Sequence, residues 1–236
     1  MKTIQHIDKI KRLTVTALFC AVAYVVSLTV QIAGIGGFLT FDVKDAIITV
    51  AAMLFGPLTG VILSLSVALL EMAFGSGTGH WGAIMNFVSS AVFACVASGI
   101  YRYFPRWKKT VGGAWGGIAL AIVTTVLTML GLNLLITPLY TGLSVAGVAA
   151  MILPLLLPFN AIKYMMNGAL VMILYKPLAS ALRRSGFLPR SAERQEPYFN
   201  RTTFIIFLIS AVVAVVCVYL LIAVFGGRLQ WFPQGN

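Results

Sequence analysis

Apolar runs of about twenty residues, each closed off by glycine, proline or charge, organise this chain. The first runs from about 10 to 33 behind a basic, amphipathic N-terminus. It is long enough to cross a membrane, and no small-residue cleavage site follows a short apolar core. It therefore reads as a retained helix and not as a signal peptide. A glycine-rich outer loop from Gly34 to Asp42 leads into a second helix at about 43–55, too short to cross a bilayer upright, which ends at Phe55-Gly56-Pro57. Gly56 supplies the turn and Pro57 presets the first turn of a third helix at about 58–74. The loop from Gly75 to Gly82 returns the chain to a fourth helix at about 83–104. A fifth covers about 111–137 and stops before Pro138, and an outer segment occupies 138–153. The sixth helix begins near Pro154 or Pro158 and reaches about 184. The polar stretch from Arg183 to Arg201 precedes a last apolar span at 203–225, and the tail from Arg228 to Asn236 lies outside.

This pattern predicts an all-α integral membrane protein. Residues 1–185 form a six-helix domain, 186–201 a cytoplasmic linker, and 202–236 an additional C-terminal transmembrane helix with a short outer tail. No internal repeat or inverted repeat is evident. Composition agrees: the 236 residues are 60% hydrophobic and only 10% charged, where soluble domains carry about 25% charged residues.

The net charge of +11 would suggest nucleic acid if it were scattered. It is not scattered. Lys2, Lys9, Lys11 and Arg12 precede the first span, and Arg102, Arg106, Lys108 and Lys109 share one connection. Lys176, Arg183, Arg184, Arg190, Arg194 and Arg201 lie in or near another. These fourteen of seventeen basic residues belong to alternate connections, which the positive-inside rule places in the cytoplasm. Cys20, Cys95 and Cys217 fall in three different apolar segments without ligand-like spacing and read as small core residues.

Chemistry for catalysis is scarce. No Gly-rich loop ending in Gly-Lys-Ser/Thr, dinucleotide fingerprint or nucleophile elbow occurs, which excludes ATP hydrolysis by this chain and argues against an enzyme. His6 and His80 lie at opposite sides of the membrane, so a shared metal site is not expected. The polar residues that remain gather near the outer face. Asp42, Lys44 and Asp45 sit at the entry to the second helix, Glu71 at the outer end of the third, Asn86 one turn into the fourth and Asn133 near the outer end of the fifth.

Most informative is Leu157-Pro158-Phe159-Asn160-Ala161-Ile162-Lys163, running on to Asn167. Asn160, Lys163 and Asn167 are spaced i, i+3, i+7 and share one helical face. A charge at membrane depth faces a cavity or a partner by default. With Phe38, Phe41, Trp81, Tyr140, Phe159 and Tyr164 nearby, the group looks like a small-molecule pocket of aromatic walls and convergent hydrogen-bonding groups. Blander readings stand beside it. Asn86 and Asn133 suit interhelical hydrogen bonds. Asp45 suits capping of the second helix. Lys163 could snorkel to the outer interface, but its depth and its place near the positive end of the sixth helix favour an acidic partner or a ligand acceptor. Glu71 could pair with Lys44 or Lys163, or carry a coupling proton.

The order of the motifs then matters. Phe41-Asp42-x2-Asp45 is followed by Phe55-Gly56-Pro57-Leu58-x-Gly60, by Ser76-Gly77-Thr78-Gly79 with Met85-Asn86-Phe87, and by Leu157-Pro158-Phe159-Asn160-x2-Lys163. This series, over about 1–185, resembles the substrate-binding S component of energy-coupling factor vitamin transporters, most of all its riboflavin-specific branch. The resemblance implies a six-helix subunit of the bacterial cell membrane, N-terminus cytoplasmic. Such a subunit binds a vitamin near the outer face, working with a transmembrane coupling subunit and two cytoplasmic ATPases. It implies no cofactor, riboflavin being the transported ligand. It assigns ligand contacts to Asn160, Lys163 and Asn133, and the sequence position of Phe41, Asp42, Asn86 and Phe159 adds them to the expected site. In the family, small residues of the first helix meet the coupling subunit, and Ala17-x3-Ala21 falls at the matching place.

Two features depart from the family pattern. The last span has no counterpart in a six-helix core, and Glu71 and His80-Trp81 have no evident place in a riboflavin site. They leave room for another vitamin or a flavin relative; a proton-coupled secondary transporter using Glu71 or Asp42, and a non-transporting scaffold, stand as rival readings.

Overall fold

A computed structural model describes residues 2–35, 39–74, 79–188, 201–226 and 228–230. The elements are α1 (Lys2–Thr29), strands β1 (Gln31–Ile35) and β2 (Leu39–Asp42), α2 (Lys44–Phe55), α3 (Pro57–Phe74), α4 (Gly79–Tyr103) and α5 (Val111–Thr141). They continue with α6 (Val145–Met151), a π-helical turn Ile152–Leu156, α7 (Leu157–Arg184), α8 (Arg201–Tyr219), a second π turn Leu220–Val224 and β3 (Arg228–Gln230). Six of the helical segments are long and apolar enough to cross a membrane; α2 is not among them. The chain is a multi-pass membrane protein with the helical bundle expected from its pattern.

The short helix α2 is the centre of that bundle. Its 12 residues rise only about 18 Å, less than the roughly 30 Å of a hydrocarbon core. Every residue from Lys44 to Met53 is buried, against α1, α3, α4 and α7. A buried short helix leaves backbone groups at both ends without intrahelical partners, and neighbouring helices supply them. At the C-terminal end, Arg102 of α4 donates to the carbonyls of Met53 and Leu54 at 3.1 and 2.6 Å. Arg12 of α1 donates to the Phe55 carbonyl at 2.9 Å. Cations at this end also complement the helix dipole. Two arginines that mark topology in the sequence are therefore structural caps as well. Gly56, with φ +114, then makes a turn that an L side chain rarely adopts, and Pro57 opens α3.

Several boundaries differ from the sequence pattern. The first helix ends at Thr29, before 33, because Gln31 and Ile32 pair with Asp42 and Phe41 across an antiparallel hairpin. The expected outer loop is thus a pair of strands, and the tail contributes a third. β3 pairs with β1 through Gln31↔Gln230, Ile32↔Leu229 and Ala33↔Arg228, giving the order β2-β1-β3. Helix α5 passes Pro138 and ends a turn later at Gly142, which is left-handed (φ 73). Pro138 lies in the last turn, which closes with the Gly142 N–H donating to the Pro138 carbonyl at 3.3 Å.

The expected outer segment at 138–153 is largely helical. Ser144 caps α6 by accepting from the Gly147 N–H, and the chain stays helical through to Arg184. Pro154 and Pro158 do not break it, because the turn widens and the Leu157 N–H reaches back five residues to the Ile152 carbonyl. Phe38, Ser76-Gly77-Thr78, most of the linker (189–200) and the last tail residues (231–236) lie outside the described residues.

Close helix approach depends on glycine at defined places. A Cβ on Gly60 of α3 would sit 2.9 Å from Ala52 Cβ and 3.0 Å from Ala94 Cβ, wedging α3 away from α2 and α4. A Cβ on Gly131 of α5 would meet nothing within 4 Å. Gly60→Leu is therefore expected to destabilise the protein by about 1–3 kcal/mol or prevent its folding, while Gly131→Leu leaves it intact. Thermal unfolding in detergent, followed by size-exclusion chromatography, measures the difference.

Candidate functional site

The hairpin end of the bundle holds a buried network of charges. Asp42, the last residue of β2, is followed within two residues by Lys44 at the start of α2. Asp42 Oδ2 accepts from Lys44 Nζ at 3.3 Å and from Lys163 Nζ of α7 at 3.2 Å. Lys44 Nζ also donates to both carboxylate oxygens of Glu71 in α3, at 2.7 and 3.0 Å. Asn86 Nδ2 of α4 donates to Glu71 Oε2 at 2.9 Å. Exposure is 5% for Asp42, 2% for Lys44, 8% for Glu71 and 6% for Lys163.

Bringing ions out of water costs several kcal/mol each, and only close pairing with further hydrogen bonds offsets it. Here each ammonium has a carboxylate, and Glu71 has an amide as well. Burial alone would raise the Asp42 carboxyl. The ammonium groups of Lys163 and Lys44 outweigh that and hold it below the ordinary carboxylate range, at about 2.

Asn167 locks this network to the backbone. Its Oδ1 accepts from the Ala46 N–H at 2.9 Å, and its Nδ2 donates to the carbonyls of Asp42 at 3.2 Å and Lys163 at 3.0 Å. Asn167 of α7 is thus the N-terminal cap of α2, a role the sequence assigns to Asp45. Asp45 instead accepts from the Ser90 hydroxyl of α4, and the residue at the cap position, Val43, makes no side-chain cap bond. A cap from a distant helix leaves no local sequence signature. Asp42 Oδ1 and Asp45 Oδ2 are buried without a hydrogen-bond partner among the described residues. Each is an acceptor available to a donor.

Of the residues singled out in the sequence, Asp42, Lys163 and Asn86 meet in this network. Asn160 and Asn133 are also buried, but their amides bond within their own helical segments. Asn160 Nδ2 donates to the Leu156 carbonyl at 2.7 Å. Asn133 Nδ2 donates to the Met129 carbonyl at 2.7 Å, and its Oδ1 accepts from the Thr137 hydroxyl at 2.9 Å. Phe41 and Phe159 lie apart from the ions, in an apolar cluster with Ile32, Ile162, Met166, Cys217 and Leu221. The division between Phe41 and Asp42 follows from strand geometry, since successive side chains point to opposite faces.

Lys44 is the hub that the sequence reading left out of the site. Its signal was present: it is one of only three basic residues outside the cytoplasmic connections, and it sits between two aspartates. Glu71 pairs with Lys44, one of the two partners open to it from sequence. On α1, Val15, Phe19 and Ala23 face the core, whereas Ala17 and Ala21 are exposed on the opposite side.

Comparison with known proteins fits this architecture. Residues 11–175 match the family model described as ECF transporter, substrate-specific component. The chain is 31% identical over 180 residues to the riboflavin transporter RibU of Staphylococcus aureus (strain TCH60), covering 74% of this chain and 93% of that protein. It is 26% identical over 165 residues to the riboflavin transporter FmnP of Bacillus subtilis (strain 168), covering 66% and 85%. A solved structure described as the S component of a bacterial ECF transporter superposes with a TM-score of 0.63 at 28% identity, over 75% of this chain and 99% of that one. The additional helix α8 lies beyond the residues matched by the family model. With a family match over more than half its length and the buried site on the helices so matched, the chain belongs to the substrate-specific components of ECF transporters, a transporter family and not an enzyme family.

Proposed function

We propose that this protein is the riboflavin-binding subunit of an energy-coupling factor transporter in the cell membrane. The hairpin end faces outward and the N-terminus lies in the cytoplasm. The charge pattern supports that orientation, because the basic connections all belong to the opposite end of the bundle. The observation that carries the reading is the buried network that joins Asp42, Lys163, Lys44, Glu71 and Asn86, in a chain whose relatives are named riboflavin transporters; Asn160 and Asn133 are buried on α7 and α5.

Isoalloxazine is flat, apolar on its faces and rimmed by carbonyl and ring-nitrogen acceptors, with one ring N–H. Ribityl adds hydroxyl groups. Lys163 donates to rim acceptors, and the Asn160, Asn133 and Asn86 amides both donate and accept. Asp42 Oδ1 accepts from a ligand N–H or O–H. Phe41 and Phe159, expected from sequence as ligand contacts, face away from the ions and back the site through the apolar cluster with α8.

No nucleotide-binding loop is present, so work must come from partners: a transmembrane coupling subunit and two cytoplasmic ATPases. Ala17 and Ala21 offer a shallow, exposed strip on α1 where another helix can approach closely. The rival in which Glu71 or Asp42 carries a coupling proton is disfavoured by their pairing with lysines.

Asn160→Ala and Asn133→Ala are each expected to weaken riboflavin binding about fivefold, as one hydrogen bond is worth roughly 1 kcal/mol, with folding preserved. Lys163→Ala should weaken it further. Fluorescence quenching of riboflavin titrated with purified protein reads all three, and unchanged affinity throughout would remove the site assignment. Replacing Ala17 and Ala21 together with leucine should leave binding intact and abolish uptake into cells. Uptake should survive a protonophore yet stop when the partner ATPases are deleted; the reverse pattern favours a proton-coupled carrier.

A further inference from the structure

Residues 201–230 cover a face of the hairpin that the six-helix core leaves bare. β2 directs Asp42 into the ion network and Phe41 to the opposite side, and both are buried. Phe41 is buried in an apolar cluster that joins Ile32 of β1 with Phe159, Ile162 and Met166 of α7 and with Cys217 and Leu221 of the C-terminal segment. Among the described residues, Ser210, Cys217 and Leu221 are the buried ones of α8 and its π turn, spaced seven and four apart along one face. Much of the remaining surface of the helix is exposed, as expected where lipid surrounds it. The segment then ends as β3, paired along β1. A two-stranded hairpin is marginal alone, and a third strand with an apolar face is what makes one stable. The hairpin in turn runs without a break into Asp42 and the start of α2, so its position sets the position of the carboxylate that both lysines share.

We propose that the segment 201–230 is a latch that holds the β1–β2 hairpin against α7 and so sets the rate at which ligand exchanges between the site and the outer aqueous phase. Opening requires two things at once: separation of β3 from β1, and withdrawal of Leu221 and Cys217 from Phe41 and Phe159. Neither contact is available to a chain that stops at α7. The inference rests on the ligand site lying at the hairpin end, as proposed above. Its mechanical half, control of the hairpin by the C-terminal segment, can be read without any ligand.

Two full-length variants test it in opposite directions. Leu221→Ala removes the fully buried side chain behind Phe41 without touching the ion network or the amides. Gln31→Cys combined with Gln230→Cys places thiols at facing positions of β1 and β3, within the Cα spacing that a disulfide tolerates. The readouts are amide hydrogen exchange of residues 31–35 and 39–42, and stopped-flow dissociation of riboflavin chased from nanodisc-embedded protein. The latch predicts exchange and dissociation both faster in Leu221→Ala, by roughly tenfold or more, given the cost of a buried Leu-to-Ala cavity. It predicts both slower in the oxidised double variant, restored by dithiothreitol, with the Gln31→Cys single variant unaffected by oxidant.

Unchanged hairpin exchange in both full-length variants overturns the latch, whatever the ligand. Hairpin exchange that responds while riboflavin dissociation stays constant overturns the claim about rate. If the unaltered protein binds no riboflavin while hairpin exchange responds as stated, the control of the hairpin stands and the riboflavin reading falls.

Discussion

Asp42 is shared between two lysines that arrive from different parts of the chain, and the hairpin end of the bundle is organised around that carboxylate. Lys44 follows it in sequence, while Lys163 comes from α7, more than a hundred residues away. Neither lysine could be buried alone, because an unpaired ammonium out of water costs far more than the folded state has to spare. Removing one partner from such a cluster costs about 3–5 kcal/mol. The carboxylate therefore fixes where β2 ends, where α2 begins and how α7 lies against both. Glu71 and Asn86 extend the constraint to α3 and α4.

The same logic governs α2. A helix too short to span a bilayer survives at the centre of a membrane protein only if its open ends are satisfied by protein. Asn167 meets the N-terminal end, and Arg12 and Arg102 meet the C-terminal end. Charges at one end hold topology and structure together, and polar groups at the other form the site. Between them the helices pack through small residues, as at Gly60 against Ala52 and Ala94. The rigid centre and the hairpin above it are thus held differently: α2 is tied at both ends by side chains of neighbouring helices, and the hairpin by β3 and an apolar cluster.

A C-terminal helix beyond the family core changes the surroundings of that hairpin. Without it, Phe41 and Ile32 would lose Cys217 and Leu221 from their apolar cluster. With it, they join Phe159 and Leu221 in a closed apolar cluster backed by a third strand. The chain thereby extends a two-stranded hairpin into a small three-stranded sheet.

Hydropathy and charge were enough to lay out the spans, the basic connections and the last apolar helix, because a bilayer imposes span length and charge placement residue by residue. The i, i+3, i+7 spacing of Asn160, Lys163 and Asn167 marked a polar face on α7 for the same local reason. Pairing was another matter. That Lys163 meets Asp42, that Asn167 and not Asp45 caps α2, and that Lys44 is the hub joining Asp42 to Glu71 depend on which helices lie side by side. The strands were hidden too, since Gln31 and Ile32 extend an apolar helical pattern until Phe41, Asp42 and the distant Leu229 compete for their backbone. Local sequence determines what a segment can be in a membrane. Which of its polar groups are satisfied, and by whom, is decided only when segments far apart in the chain are packed together.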